Sequence, residues 1–114
     1  DVILLPTSVT VADPFSAAPD IPQFNPRLEL WPNPFNPRTE VRFELLKDSW
    51  TNLAVFDARG RRVTVLQDGF SAAGPLVNRW DGRDANGQNQ PGGVYLFLLQ
   101  TEYGTASTKG VLLK

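Results

Sequence analysis

The sequence contains no cysteine, no histidine and no methionine. Without cysteine there are no disulfides, no thiolate nucleophile and no cysteine metal site. Without histidine the commonest general base and the usual zinc or iron ligand are missing, so catalysis would rest on carboxylates alone. Those carboxylates are scattered among turns and strand surfaces, and an enzyme is not expected. No cofactor and no metal are expected either. A formal net charge of −1 leaves no basic stripe for phosphates, which argues against nucleic acid. No apolar run approaches the ~20 residues that span a bilayer. Asp1 in place of a start methionine is expected to be a processed end or a cut boundary, with no signal peptide to read.

Helical periodicity is absent as well, and what remains reads as β-structure. In Trp31-Pro32-Asn33-Pro34-Phe35-Asn36-Pro37, three prolines fix φ and remove three backbone donors, so the stretch is neither helix nor central strand. Each residue before a proline is pushed toward extended geometry, giving a stiff, kinked lead-in. Thr39 to Leu45 follows in strict polar/apolar alternation, the signature of a half-buried strand. Leu28–Trp31, Thr51–Asp57, Arg62–Gln67, Leu76–Trp80, Val94–Thr101 and Thr105–Leu113 complete a set of seven. Asp57-Ala58-Arg59-Gly60 reads as a tight turn, Asp68-Gly69 as another, and Tyr103-Gly104 as a hairpin tip. Val94–Thr101 is apolar on both faces, as a strand buried on two sides should be. Seven short strands at roughly ten-residue spacing predict an all-β, antiparallel, immunoglobulin-like sandwich occupying residues 28–114.

Two segments precede it. Residues 1–12 form an extended N-terminal β-segment, and residues 13–27 a proline-rich linker reaching up to ~3.1 Å per residue where it is polyproline-like. Val2-Ile3-Leu4-Leu5 is apolar on both faces, and a lone strand cannot satisfy its own backbone. It could close a preceding β-domain, fold back on its own sandwich, or pair with the sheet edge of a neighbouring copy. Full coverage of the linker would favour the last two. Val2, Ile3, Leu4, Leu5, Val9 and Val11 are therefore the candidate strand-pairing residues. The expected partner is protein: copies of the chain itself or an adjacent β-domain.

Several runs together resemble one family. They are Pro32-Asn33-Pro34-Phe35-Asn36-Pro37, Val55-Phe56-Asp57-Ala58-Arg59-Gly60-Arg61, Trp80-Asp81-Gly82-Arg83-Asp84-Ala85-Asn86-Gly87, Gly93-Val94-Tyr95 and Lys109-Gly110-Val111-Leu112-Leu113-Lys114. In this order and spacing they resemble the immunoglobulin-like domain shared by flagellar hook-capping proteins and the C-terminal sorting domains of type IX-secreted proteins. The resemblance covers about residues 28–114. It implies a secreted, extracellular or surface-attached bacterial chain without catalytic residues. It also implies possible contact with outer-membrane secretion machinery through Pro32, Asn33, Pro34, Gly93, Tyr95, Lys109, Val111, Leu112, Leu113 and Lys114. Two departures stand out. The proline motif continues as Phe35-Asn36-Pro37, nearer the hook-cap group than the usual sorting signal, and Gly110 stands where an apolar residue is more usual.

Each feature also has a plain structural reading. Pro32-Asn33-Pro34 is either a rigid turn opening the sandwich or a recognition element. Trp31, Phe43, Phe56, Trp80, Tyr95 and Phe97 read as core or sheet-surface packing, and a carbohydrate platform of Trp50 and Tyr103 lacks a polar cluster. The Asp81–Gln88 loop has hard oxygen ligands but not the spacing of a calcium loop, and its Asp and Asn residues suit turns. Asn78 shares a face with Leu76 and Trp80. It is either a buried amide in need of partners or a sign that the sandwich opens there.

Overall fold

The computed structural model describes residues 27–114. The arm (Val2, Ile3, Leu4, Leu5, Val9, Val11) and nearly all of the linker lie outside the described residues. Seven antiparallel strands are observed: β1 (Glu29–Trp31), β2 (Thr39–Leu45), β3 (Ser49–Phe56), β4 (Arg62–Ser71), β5 (Gly74–Trp80), β6 (Gly93–Thr101) and β7 (Gly104–Leu112). They form a three-stranded sheet, β1-β2-β5, facing a four-stranded one, β4-β3-β6-β7. The expected all-β sandwich is what the chain forms.

Alternation explains which faces meet. Thr39, Val41, Phe43 and Leu45 of β2 turn inward, and so do Tyr95, Phe97 and Leu99 of β6. At one end of the sandwich Trp80 is the hub of an aromatic cluster. Its ring lies 5.8 Å from Phe35, 5.0 Å from Tyr95 and 5.7 Å from Phe97, all edge-to-face. Trp80 Nε1 donates to the Arg83 carbonyl at 2.8 Å and Tyr95 Oη to the Pro91 carbonyl at 2.5 Å, so both polar handles are satisfied. This is the proline end, where the loops 57–61 and 81–91 also lie. The turns at 46–48, 72–73 and 102–103 occupy the far end.

Two expectations need correction. Asp68-Gly69 does not turn the chain: β4 runs through it to Ser71, because Asp68 and Gly69 pair with Asn52 and Thr51 of β3. A ladder partner outweighs local turn preference. The turn falls at Ala72–Ala73, where the Ala73 amide donates to Asp48 Oδ1 at 2.8 Å. Nor is β6 buried on two sides. Val94, Leu96 and Leu98 sit on the outer face, partly exposed, because no third layer covers that sheet among the described residues.

Asn78 is a half-buried amide that finds a partner where the sandwich opens. It lies where β4 and β5 face each other across the gap between the sheets, and its Nδ2 donates to Gln67 Oε1 at 2.8 Å. Gln67 Nε2 in turn donates to Thr51 Oγ1 at 2.6 Å and Ser71 Oγ at 2.5 Å. This network links the sheets in place of apolar packing.

Candidate functional site

The proline motif carries the chain from one sheet to the other. β1 pairs with β2, opposing Trp31 to Glu40. The prolines then bend the backbone away, with cis peptide bonds before Pro32, Pro34 and Pro37. The Pro32 carbonyl accepts Thr39 Oγ1 at 2.8 Å, anchoring the bend to the start of β2. Phe35 arrives alongside β7 of the other sheet, in parallel register with Leu112. Its amide donates to the Val111 carbonyl at 2.9 Å, and its own carbonyl accepts the Leu113 amide at 2.8 Å.

Between these anchors Asn33 uses its side chain where prolines have removed backbone donors. Asn33 Nδ2 donates to the Lys109 carbonyl at 3.3 Å, and Asn33 Oδ1 accepts the Val111 amide at 3.1 Å. A primary amide offers one donor and one acceptor side by side, as a strand residue does. Asn33 and Phe35 thus cover the edge of β7 from Lys109 to Leu113. Toward Thr105 the edge has no further strand beside it among the described residues.

Gly110 has a clear reason to be glycine. A Cβ there would lie 2.6 Å from Leu30 Cδ1, 3.1 Å from Phe35 Cε1 and 3.2 Å from Phe97 Cε1. The absence of a side chain lets the Phe35 ring lie over β7.

The structure brings the sequence-expected motif residues into one strip. Gly93 opposes Leu112 and Tyr95 opposes Gly110 across the β6–β7 ladder. Lys114 lies beside Gly92, whose added Cβ would stand 3.1 Å from Lys114 Cγ. Leu112 and Tyr95 are buried, whereas Lys109, Val111, Leu113 and Lys114 face outward. Pro32, Asn33 and Pro34 are exposed beside them. The candidate strand-pairing residues 2–11 lie outside the described residues.

The loops are held by their carboxylates. Asp57 Oδ1 accepts the amides of Arg59 and Arg61, and Asp57 Oδ2 the Arg61 guanidinium. These bonds, the Arg61 amide foremost, hold the Asp57 carboxyl below its ordinary range. Asp84 Oδ1 accepts the amides of Asn86 and Gln88, and Asp81 Oδ1 that of Arg83. The Asp81–Gln88 carboxylates therefore form turns, and no cluster of three or more acidic side chains able to hold a metal occurs among the described residues. On the outer face of the smaller sheet, Glu40 accepts Arg42 at 2.7 Å and Arg79 at 3.2 Å. The hydrogen bond from Arg42 is the main cause of a lowered Glu40 pKa. Burial, followed by the charge of Asp57, raises the Tyr95 phenol.

A cleft lies at the proline end, where β4 and β5 separate. It measures about 500 Å3 and is lined by Thr64, Leu66, Trp80, Ala85 and a charged rim of Arg38, Arg79 and Arg83 with Asp81 and Asp84. Its lining comes from positions far apart in the chain, and no local motif marks it. Trp50 and Phe70, directly opposed on the outer face of the larger sheet near the far end, are a second exposed feature.

Residues 35–105 match the family model described as the FlgD Ig-like domain. Among solved structures the chain is similar to FlgD from P. aeruginosa, at 29% identity and a TM-score of 0.53 over 66% of this chain and 59% of that one. It also resembles PorU from Porphyromonas gingivalis, crystallised as a latent dimer: 19% identity, TM-score 0.63, 84% of this chain and 10% of that one. A third likeness is to PorZ of the same organism, an essential bacterial surface component of the type IX secretion system. There the identity is 16% and the TM-score 0.56, over 76% of this chain and 11% of that one. At these identities PorU and PorZ speak to the fold alone. The chain spans about three-fifths of the FlgD chain and about a tenth of the other two. Among curated proteins none matches.

Proposed function

This chain belongs to the FlgD Ig-like domain family, and from that premise we propose that it is a non-catalytic structural and assembly module. It works outside the cell or on the bacterial surface, as a subunit or terminal domain of a larger structure. Copies associate by strand complementation, each passing its apolar arm, Val2 to Leu5 with Val9 and Val11, to the sheet edge of a neighbour. The observation that carries this reading is the pairing of an open-edged sandwich with an apolar segment that precedes its first strand. The sheets end in β1, β5, β4 and β7, and edge strands carry unpaired backbone groups that an added strand can satisfy. The test is light scattering on the intact chain and on its Ile3→Asp/Leu5→Asp variant. The intact chain is expected to multimerise and the variant to be a folded monomer; equal sizes for the two would remove the proposal.

A second reading is supported by the strip that joins Pro32-Asn33-Pro34 to Lys109–Lys114. In it the domain is a sorting or anchoring signal for type IX secretion, presenting Asn33, Lys109, Val111, Leu113 and Lys114 to outer-membrane machinery. PorU and PorZ share the fold, which agrees with this reading. A reporter fused ahead of residues 28–114 in a type IX-competent bacterium is then expected at the cell surface. Retention in the periplasm would count against it.

A further inference from the structure

We infer that the arginine-rimmed cleft between β4 and β5 is the acceptor for the N-terminal arm of a neighbouring copy, so that copies join head to tail. The inference rests on the strand-complementation reading and adds the identity of the acceptor.

The cleft has the shape and chemistry of a strand site. It lies in the seam between the edge strands of the two sheets, with Leu66 and Trp80 among its lining. Toward the far end the same seam is closed by the Gln67–Asn78 hydrogen bond, so the opening is confined to the proline end. A strand entering between two sheets buries both its faces, as Val2-Ile3-Leu4-Leu5 requires. Four residues in a row followed by Pro6 also match a short groove, because proline cannot continue a ladder on both sides.

Charge points the same way. Among the described residues Arg38 has no carboxylate within ion-pair distance, and Arg83 Nε donates only to the neutral amide oxygen of Asn89, at 3.2 Å. Arg79 shares Glu40 with Arg42. The acids of the cleft, Asp81 and Asp84, accept backbone amides of their own loop. Three arginines against these two carboxylates leave the lining with a formal excess of one positive charge. Residues 1–26 carry Asp1, Asp13 and Asp20 and no lysine or arginine. Acidic and apolar together, the arm complements a cleft that is basic and apolar.

Topology separates the root of the arm from the cleft. β1 and β5 flank β2 on opposite sides, and Glu29 opposes Arg42, so the chain before β1 heads toward the far end. The cleft adjoins Trp80, which opposes Thr39 at the proline end. Donor root and acceptor therefore occupy diagonally opposite corners. A head-to-tail contact between such corners is heterologous, and it extends a row of copies into a line where the rotation between them closes no ring.

The lack of native cysteine allows a direct test on the intact chain. A Leu4→Cys population is mixed with a Thr64→Cys population under oxidising conditions, and in parallel with a Ser107→Cys population, which samples the uncovered edge of β7. The cleft predicts Leu4–Thr64 cross-links between chains. It also predicts association at least tenfold weaker in Arg38→Glu/Arg83→Glu, whose melting temperature serves as the folding control. Cross-linking to Ser107 instead, with association indifferent to the arginine reversals, would overturn the cleft and leave the arm reading standing. A monomeric intact chain with no cross-link overturns both. Ring closure within one chain carrying both Leu4→Cys and Thr64→Cys overturns the head-to-tail arrangement.

Discussion

Replacing Gly110 by alanine tests whether β7 was shaped to receive the proline motif. The added methyl would meet Leu30 Cδ1 at 2.6 Å, Phe35 Cε1 at 3.1 Å and Phe97 Cε1 at 3.2 Å. Leu30 is half-buried and contributes the tip of a flexible side chain, so it can rotate away. The two rings decide the outcome. Phe35 and Phe97 are 1% and 0% exposed and are held edge-to-face against Trp80 and each other. Overpacking a fixed core of this kind costs about 1–3 kcal/mol. Against this, alanine restricts the unfolded chain and returns about 0.4–1 kcal/mol. The net expectation is a loss of about 1–2 kcal/mol, or roughly 5–15 °C in Tm for a domain of this size. Calorimetry gives the Tm, and near-ultraviolet circular dichroism should lose intensity as the ring cluster shifts. Valine should cost more than alanine. An unchanged or higher Tm in Gly110→Ala would show that the rings yield freely and that the close approach is incidental.

Asn33→Ala removes both side-chain bonds to β7. Because they are exposed, the expected cost is only about 1 kcal/mol, but amide exchange at Val111 should quicken several-fold; unaltered exchange there would refute the strand-mimic role. Asn78→Leu strands the Gln67 oxygen and should cost about 1 kcal/mol, and a double-mutant cycle with Gln67→Leu should recover part of it. If the two substitutions add without coupling, the network does not hold the sheets. In alkali the raised Tyr95 pKa acts with a definite sign: its stabilisation is present below pH 10, the unfolded value, and lost as pH rises through the higher folded value. Tyr95→Phe should flatten that alkaline decline in an unfolding titration. The depressed Asp57 carboxyl acts oppositely, contributing above the ordinary carboxylate range and losing its contribution as pH falls through the folded value. Asp57→Asn should therefore weaken the pH dependence in acid.

The fold was legible because alternation is a local signal. Thr39 to Leu45 shows its buried face in its own spelling, and the prolines announce a boundary. Legibility failed where partners outweighed local preference. Asp68-Gly69 looks like a turn until β3 is placed beside it, and β6 looks doubly buried because its outer face is apolar although the described fold leaves it uncovered. Gly110 seemed a departure from pattern, and only the position of Phe35 explains it. The roles of Asn33 and Asn78 needed neighbours remote in sequence, at Lys109 and Val111 for one and Gln67 for the other. The arginine cleft is the extreme case, since Arg38, Leu66 and Arg83 share no spacing that could have joined them beforehand.

The sheet switch at the proline motif also has a mechanical consequence. The Phe35 segment runs parallel to β7, with the chain before β1 lying toward one end of the sandwich and Lys114 at the other. A pull applied between the arm and the C-terminus would draw these two segments past each other along their length. The Phe35–Val111, Leu113–Phe35 and Asn33 hydrogen bonds would then share the force at once, in shear, instead of opening one at a time like a zipper. Tension along a row of copies would meet the domain in its most resistant direction.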